Sequence, residues 1–189
     1  MATQQQNYSN NDAQILQLLA NEVSYQKGFS LLVKSYQERL YWHIRGMVGT
    51  HEDADEVLQN TFIKVYKGIS RFKGNSKLYT WLYRIATNES ITYLNKYKKQ
   101  LAISIDDVET GVANSIKAES YVDGEAINIL LQKAIKALPD KQRQVFLLRY
   151  YDEMPYGEIS EILDTSIGGL KASYHHAAKK VEAFIKARM

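Results

Sequence analysis

A dense set of basic and aromatic side chains lies between residues 64 and 99. This stretch contains nine Lys and Arg residues and a single acidic residue, Glu89. The aromatic residues interleaved with them include Phe72, Tyr79, Trp81, Tyr83, Tyr93 and Tyr97. Cations neutralise phosphates, and each base stacked on an aromatic ring gains about 1–3 kcal/mol, which is comparable to the cost of extruding it from a duplex. The segment therefore predicts a surface that captures single-stranded nucleic acid without ATP.

A second candidate nucleic-acid surface lies near the C-terminus. Residues 156–180 have the pattern of a helix-turn-helix, with a break at residues 164–166 and a second helix capped by Ser166. Ser160 is small where the helices must approach, and Asp164 tolerates the left-handed turn position. The predicted buried seam of the second helix is Ile167, Leu170, Tyr174, Ala177, Val181 and Phe184. The face predicted to enter a major groove is Gly168, Gly169, Lys171, Ala172, Ser173, His175, His176 and Lys179. A plain helical hairpin with a solvated face is the alternative.

The composition argues against most enzyme chemistry. The chain has no cysteine, which excludes disulfides, thiolate metal sites and a cysteine nucleophile. Its four histidines lack the i, i+4 pairing of a helical metal site, and no glycine-rich phosphate loop occurs. We therefore expect no catalytic residues, no metal and no cofactor, with the histidines as ordinary surface or interface residues.

The N-terminal sequence does not resemble a targeting signal. It has neither a basic n-region nor an apolar h-region, and no stretch approaches the ~18 apolar residues of a spanning helix. We expect a cytoplasmic protein without membrane insertion. The net charge of +3 is too small to indicate a nucleic-acid partner by itself, so the local distribution of charge carries that prediction.

Helical spacing of apolar residues predicts an all-α fold. The first long helix should end near Gly49, and Thr50 with Asp53 three residues later should cap the next helix. A third helix should begin after Ser76. The apolar faces of the three helices are Phe29, Leu32, Val33, Tyr36, Leu40, Ile44 and Met47; then Ala54, Leu58, Phe62 and Val65; then Trp81, Leu82, Ile85 and Ile91.

The helical pattern lapses between Gln100 and Gly124, where five acidic residues face one lysine. This composition predicts a flexible acidic linker between two small helical domains. Pro139 is expected in the first turn of a later helix that runs to about Tyr150. The predicted organisation is an N-terminal, partly helical extension over 1–27, a first domain over 28–99, a linker over 100–124 and a second domain over 125–189.

Several of these segments resemble the sigma-70 family of RNA polymerase sigma factors. Residues 138–146 (LPDKQRQVF), followed by the helix-turn-helix, resemble region 4, which reads the minus-thirty-five promoter element. Residues 53–62 (DADEVLQNTF) resemble the region 2 helix that docks on the polymerase clamp. Residues 72–76 (FKGNS) and 80–88 (TWLYRIATN) resemble the part that melts and reads the minus-ten element. Because the intervening stretch is too short for a further domain, the resemblance is to the extracytoplasmic-function (ECF) subgroup.

The resemblance implies a transcription initiation factor that binds the clamp and flap regions of core RNA polymerase and promoter DNA, and that an anti-sigma factor holds inactive. The implied polymerase-binding residues are Asp55, Glu56, Gln59 and Phe62. The implied minus-ten residues are Phe72, Lys73, Asn75, Ser76, Lys77, Trp81, Arg84 and Asn88. The implied minus-thirty-five residues are Ser166, Lys171, Ser173, His175, His176 and Lys179.

Three alternatives remain open from the sequence. The chain could be a free-standing helix-turn-helix repressor or activator, although residues 1–99 would then be an unexplained module. The acidic cluster of Glu52, Asp53, Asp55 and Glu56 could simply answer the dipole at a helix N-terminus. Trp81 could be a core residue of its helix and not a stacking platform.

Overall fold

The computed structural model describes the backbone of residues 2–105 and 124–188, and the side chains of residues 11–99 and 128–188. Within these ranges the regular secondary structure is helical, as predicted. The helices are α1 (Ala2–Leu19), α2 (Tyr25–Val48), α3 (His51–Gly68), α4 (Leu78–Ile105), α5 (Gly124–Lys136), α6 (Asp140–Phe146), α7 (Tyr156–Leu163) and α8 (Ile167–Lys186). A 3₁₀ turn, Ile69–Arg71, follows α3, and a π-helical turn, Leu147–Tyr151, continues α6. We call α1–α4 the first unit and α5–α8 the second unit.

The first unit is built around α2. Leu32, Tyr36, Leu40 and Ile44 recur every fourth residue, and all four are buried on one face of this helix. Helices α1, α3 and α4 pack against it. The N-terminal extension contains helix α1, and Ile15 of this helix is buried in the same core.

The predicted helix boundaries between α2 and α4 are confirmed. Helix α2 ends at Val48, and Gly49 adopts the left-handed φ of 104° that ends it. The Thr50 hydroxyl accepts a hydrogen bond from the Asp53 backbone N–H at 3.1 Å and so caps α3. Helix α4 begins soon after Ser76, but it continues to Ile105 and therefore enters the segment predicted as linker. Residues 106–123 of that segment lie outside the described residues.

The helix-turn-helix of the second unit is present. Asp164 adopts the left-handed conformation (φ 48°, ψ 48°) between α7 and α8. The Ser166 hydroxyl accepts from the Gly169 backbone N–H at 3.3 Å and caps α8, as predicted. Ser160 donates its hydroxyl hydrogen to the Thr165 carbonyl at 2.7 Å and thereby ties the turn to α7.

The predicted buried seam of α8 is wrong at its first position. Leu170, Ala177 and Val181 are buried, and Tyr174 and Phe184 are partly buried. Ile167 is 46% exposed. It is the first residue of the helix, and its Cβ projects back towards the exposed turn instead of onto a neighbouring helix.

The two units pack directly on each other. One apolar cluster contains Leu82 and Tyr83 of α4 together with Ile159 and Ile162 of α7. A second cluster places Met47 of α2 among residues of α5, α6, α8 and the π-helical turn. The absence of a side chain at Gly46 makes this approach possible, since a Cβ there would lie 2.9 Å from the Leu147 side chain. Helices α2 and α4 therefore face the second unit across an apolar interface.

Candidate nucleic-acid interface

One face of α4 brings together half of the residues predicted to contact the minus-ten element. Lys77, at the loop that precedes α4, and Trp81, Arg84 and Asn88 within it follow one another at intervals of four, three and four, which places them along one side. Lys77, Arg84 and Asn88 are exposed, whereas Trp81 is partly buried. The Trp81 ring lies 5.4 Å from the Phe72 ring, centroid to centroid, and rests against Gly68. Trp81 is thus both a packing residue and partly accessible.

The loop before α4 forms one wall of a cleft. The cleft has a volume of about 370 Å³ and is lined by Gly74, Asn75, Ser76, Lys77, Thr80, Glu158 and Glu161. Gly74 adopts a left-handed φ of 72°, which turns the loop so that Asn75 and Ser76 reach the cleft. A volume of this size lies within the ~300–1,000 Å³ range of small-molecule pockets, so a single nucleobase can be accommodated. Lys73, the other basic residue of this loop, is exposed outside the lining.

The second unit forms the opposite wall of the cleft. The Lys77 ammonium group lies 2.9 Å from the Glu158 carboxylate of α7. The Arg84 guanidinium donates a hydrogen bond to the backbone carbonyl of Glu161. The Thr80 hydroxyl oxygen and the second carboxylate oxygen of Glu158 are buried without a hydrogen-bond partner among the described residues. The polar groups of the cleft are therefore only partly satisfied by the protein.

A buried polar cluster holds the two units together. The Asp152 carboxylate of the second unit contacts His43 Nδ1 at 3.0 Å and accepts a hydrogen bond from the Tyr83 hydroxyl at 2.8 Å. His43 Nε2 lies 3.0 Å from the Thr87 hydroxyl. Burial, with the Asp152 carboxylate nearby, raises the pKa of Tyr83 well above its usual value, so its hydroxyl stays protonated and donates. His43 therefore lies in the interface between the two units, which is one of the two roles, surface or interface, predicted for the histidines.

Helix α3 presents the predicted polymerase-binding residues on its outer face. Asp55, Glu56 and Gln59 are exposed, and Phe62 is partly buried. Asp53 differs from its acidic neighbours, because its carboxylate accepts a hydrogen bond from the Tyr93 hydroxyl of α4 at 2.5 Å. This hydrogen bond, with a smaller contribution from burial, raises the pKa of Tyr93. Within the acidic cluster, Asp53 therefore makes a contact inside the first unit, whereas Asp55 and Glu56 belong to an exposed polar face.

The predicted minus-thirty-five residues lie on the outer side of α8 and its cap. Ser166, Lys171, His175, His176 and Lys179 are exposed, and Ser173 is partly buried. The Lys171 ammonium lies 6.0 Å from the centre of the Tyr156 ring of α7. The face opposite the Leu170–Ala177–Val181 seam therefore combines two lysines with short and hydrogen-bonding side chains, as predicted.

Sequence reasoning missed the part of the cleft that the second unit provides. Glu158 and Glu161 of the second unit line the cleft and were not among the predicted site residues. Thr80 of the first unit and Asp152 of the interface between the units were not predicted either. Glu158 is 81 positions from Lys77, and Asp152 is 109 positions from His43. The isolated acidic residues of α7 carry no local signal that would pair them with the first unit.

Comparison with protein families shows two matches along the chain. The model of sigma-70 region 2 matches residues 32–100, and a model of sigma-70 region 4 matches residues 128–181. The first match contains the cleft loop and the faces of α3 and α4, and the second contains the helix-turn-helix. These matches and the fold define a sigma-70 type transcription factor.

Curated relatives specify the group within that class. The chain is 34% identical to the ECF RNA polymerase sigma factor SigW of Bacillus subtilis, over 79% of this chain and 84% of the relative. It is 31% identical to the ECF RNA polymerase sigma-E factor of Escherichia coli, over 83% of this chain and 86% of the relative. The chain belongs to the ECF group of sigma-70 family sigma factors. This membership decides against the free-standing repressor.

Solved structures share the fold. CnrH, solved in complex with the cytosolic domain of CnrY, matches with a TM-score of 0.69 at 18% identity, over 95% of this chain and 99% of CnrH. The sigma factor RpoE of Bartonella quintana, solved in complex with the anti-sigma factor NepR, matches with a TM-score of 0.69 at 22% identity, over 85% of this chain and 98% of RpoE.

The described residues contain neither a membrane-spanning helix nor a metal-binding group of side chains. Across residues 2–105 and 124–188, no helix is long and apolar enough to cross a membrane. The same part of the chain contains no group of three or more His, Asp or Glu side chains arranged to hold a metal ion.

Proposed function

We propose that the protein binds core RNA polymerase, directs it to promoters with specific minus-ten and minus-thirty-five elements, and assists melting at the minus-ten element. The observation that supports this most directly is the cleft of residues 74–77 at the start of the basic face of α4. A pocket of nucleobase size beside Lys77, Trp81 and Arg84 suits an extruded base whose flanking phosphates meet cations. The binding energy of the captured base then offsets the cost of opening the duplex, so that no nucleotide hydrolysis is needed.

In the proposed mechanism the loop and α4 have separate tasks. Asn75 and Ser76 offer polar groups that can hydrogen-bond the edge of a base in the cleft. Lys73 and Arg84 neutralise phosphates on either side, and the partly accessible Trp81 ring offers a stacking surface. The exposed amide of Asn88, one turn beyond Arg84, can donate to and accept from a base edge. Opening is then favoured because the single strand gains contacts that the duplex cannot make.

Duplex recognition is assigned to α8. Lys171 and Lys179 are proposed to neutralise phosphates, which contributes affinity without sequence information. The exposed His175 and His176 and the partly buried Ser173 are proposed to supply the base contacts. Ser166 caps α8 and places its N-terminus towards the DNA backbone, where a helix dipole favours anions.

Polymerase binding is assigned to the exposed side chains of α3. Asp55, Glu56 and Gln59 form a polar patch next to the partly buried Phe62, which suits a basic partner surface with an apolar centre. The domain organisation proposed for this task is region 2 over 28–99 and region 4 over 125–189, joined by the acidic linker and preceded by the extension 1–27. The flap of the polymerase is the proposed partner of region 4.

Regulation by an anti-sigma factor is also part of the proposal. The two solved structures described above are complexes, and the Bartonella quintana complex contains an anti-sigma factor. A pull-down from the native cell should recover such an inhibitor. Recovery of polymerase but never of an inhibitor would contradict this part. We further propose that the protein acts in the cytoplasm, where polymerase and promoter DNA are, without a cofactor or a catalytic residue.

The experiment that tests the proposed function uses purified bacterial core RNA polymerase. One-to-one binding, followed by run-off transcription from a promoter library that depends on the protein, is the expected result and would identify the promoter sequence. Absence of core binding, together with duplex DNA binding that needs no polymerase, would overturn the proposal.

A further inference from the structure

Two cationic side chains assigned above to promoter DNA are occupied by the second unit. Lys77 is paired with the Glu158 carboxylate at 2.9 Å, and Arg84 donates to the Glu161 carbonyl. We propose that α7 is an intramolecular competitor of single-stranded promoter DNA, which holds the Lys77 and Arg84 head groups of the minus-ten cleft in the free protein. This inference rests on the proposed function, because it assumes that the cleft is the DNA site.

The Glu158 side chain resembles a phosphate of the displaced ligand. The side chain is 14% exposed and lines the cleft, and its carboxylate carries the negative charge that Lys77 would otherwise meet on DNA. Among the described residues, one of its oxygens has no hydrogen-bond partner, and neither has the buried Thr80 hydroxyl in the same cleft. Buried polar atoms without partners are costly, so the closed cleft is an imperfect fit that a better ligand can displace.

The closed arrangement is held by a latch that lies away from the cleft. Asp152 contacts His43 and Tyr83 of the first unit, and its side chain is only 12% exposed. The contact between Gly46 and Leu147 adds an apolar part to the same interface. A sigma factor in this arrangement must separate its units before Lys77 and Arg84 can meet the phosphates of a DNA strand.

The competition should be confined to single-stranded DNA. Lys171, His175 and Lys179 of α8 stay exposed while α7 faces the cleft. A change that weakens the contact between α7 and the cleft should therefore leave the DNA face of α8 unaltered. Binding of duplex DNA provides an internal control.

The first experiment measures binding of the full-length protein to a fluorescein-labelled, 12-nucleotide single-stranded DNA of mixed sequence by fluorescence anisotropy. Glu158→Gln keeps the shape of the side chain and removes its charge. Glu182→Gln makes the same charge change on an exposed residue of α8 that pairs with Lys186. We expect Glu158→Gln to bind the strand at least about threefold more tightly than Glu182→Gln, because a larger fraction of the protein is open. Duplex affinity should be equal in the two variants.

The second experiment measures the closure itself. Because the chain has no cysteine, fluorophores can be attached to cysteines introduced at the exposed positions Glu22 and Lys186, one in each unit. We expect energy transfer between them to fall in Asp152→Ala and to stay unchanged in Glu38→Ala, an exposed change on α2. Circular dichroism checks that helix content is retained, so that opening is distinguished from unfolding.

The outcomes separate this inference from the proposed function. If Glu158→Gln and Glu182→Gln bind the strand equally, or if energy transfer is the same in Asp152→Ala as in the parent, the competition is overturned. A further change, Lys73→Ala, tests the DNA site itself, because Lys73 does not line the cleft against α7. If Lys73→Ala weakens strand binding while Glu158→Gln fails to strengthen it, only the competition fails. If Lys73→Ala has no effect in any background, the minus-ten assignment fails and the competition fails with it.

Discussion

Single hydroxyl groups determine where two functional helices begin. Thr50 caps α3, which carries the proposed polymerase-binding face, and Ser166 caps α8, which carries the proposed recognition face. In each case the hydroxyl oxygen satisfies a backbone N–H that the helix itself leaves unpaired. The consequence is that the first turn of each helix, where binding residues begin, is held in place.

Replacement of the α3 cap should measurably destabilise the protein. Thr50→Ala removes the hydroxyl that accepts from the Asp53 N–H and should lower the free energy of unfolding by ~1 kcal/mol. Thr50→Ser, which keeps the hydroxyl, is the matched control and should lose much less. Chemical denaturation followed by circular dichroism gives both values. An equal loss in the two variants would show that the methyl group, and not the cap, is responsible.

The Tyr93–Asp53 hydrogen bond should make stability depend on alkaline pH. The pKa of Tyr93 is raised in the folded protein, chiefly by this hydrogen bond, so the unfolded chain releases the phenol proton first as pH rises. The stabilisation is complete below about pH 10, the usual tyrosine pKa, and falls as pH increases above it. The stability advantage of the parent over Tyr93→Phe should therefore be constant from neutral pH to pH 9 and shrink above pH 10 in urea titrations. A constant difference up to pH 11 would contradict the role of this phenol.

At the scale of elements, close approach of helices depends on small residues at particular positions. A Cβ at Gly28 of α2 would lie 2.8 Å from Leu18 Cβ and 2.9 Å from the Leu19 backbone nitrogen of α1. Because one of these atoms belongs to the backbone, the neighbour cannot give way by a side-chain rotation. The N-terminal helix is thus fitted to α2 and contributes to the first unit even though it precedes the region 2 match.

Substitution of Gly28 should test this helix contact. Gly28→Ala should lower the free energy of unfolding by about 1–3 kcal/mol through overpacking against α1. The control is Gly157→Ala on α7, where a Cβ meets nothing within 4 Å and the higher helix propensity of alanine should raise stability by up to ~1 kcal/mol. Opposite signs in thermal and urea unfolding are the expected result. A gain for both variants would show that α1 does not pack on α2 in solution.

The recognition helix should separate affinity from specificity. Lys179→Ala should weaken holoenzyme binding to all promoters alike and reduce the slope of log affinity against log salt concentration by about 1, because one phosphate contact is lost. Ser173→Ala should change the preferred minus-thirty-five sequence and leave that slope unaltered. Lys186→Ala, in the last turn of α8, is the matched control for the lysine. A change of sequence preference in Lys179→Ala would reverse the proposed roles.

At the scale of the whole molecule, the two units leave some binding surfaces open and bring others into contact with α7. The polar face of α3 and the outer face of α8 are accessible, whereas the cleft and the Lys77 and Arg84 head groups face α7. In the proposed function, the protein meets polymerase through α3 before Lys77 and Arg84 are available to DNA. Polymerase binding then favours separation of the units to the extent that polymerase binds the open arrangement more tightly than the closed one.

Charge reversal on α3 should weaken assembly with polymerase. The double variant Asp55→Arg and Glu56→Arg should reduce affinity for core RNA polymerase at least about tenfold, or ~1.4 kcal/mol, because like charges then face a basic partner surface. Its melting temperature should stay close to that of the parent, since both side chains are exposed. Glu182→Arg, an exposed reversal on α8, should bind core normally. Normal core affinity in the double variant would place the polymerase contact elsewhere.

The amino-acid sequence by itself determined the helices, their caps and the residues of each separate face. Apolar residues at helical spacing, Thr50 and Ser166 as caps and Asp164 at a left-handed turn are local signals, read within a few positions of one another. Lys77, Trp81 and Arg84 were indicated as site residues by the resemblance to region 2, not by periodicity. The match to two sigma-70 regions accords with that local pattern.

Only the tertiary structure decided how the two units meet. Asp152 pairs with His43 from 109 positions away, and Glu158 pairs with Lys77 from 81 positions away. Leu147 and Gly46 are likewise distant in the sequence and close in the structure. Periodicity reports which side of a helix is apolar, but it does not report which partner covers that side. The exposure of Ile167 and the burial of His43 depend on that partner, because burial is a property of the packed neighbours and not of the residue alone.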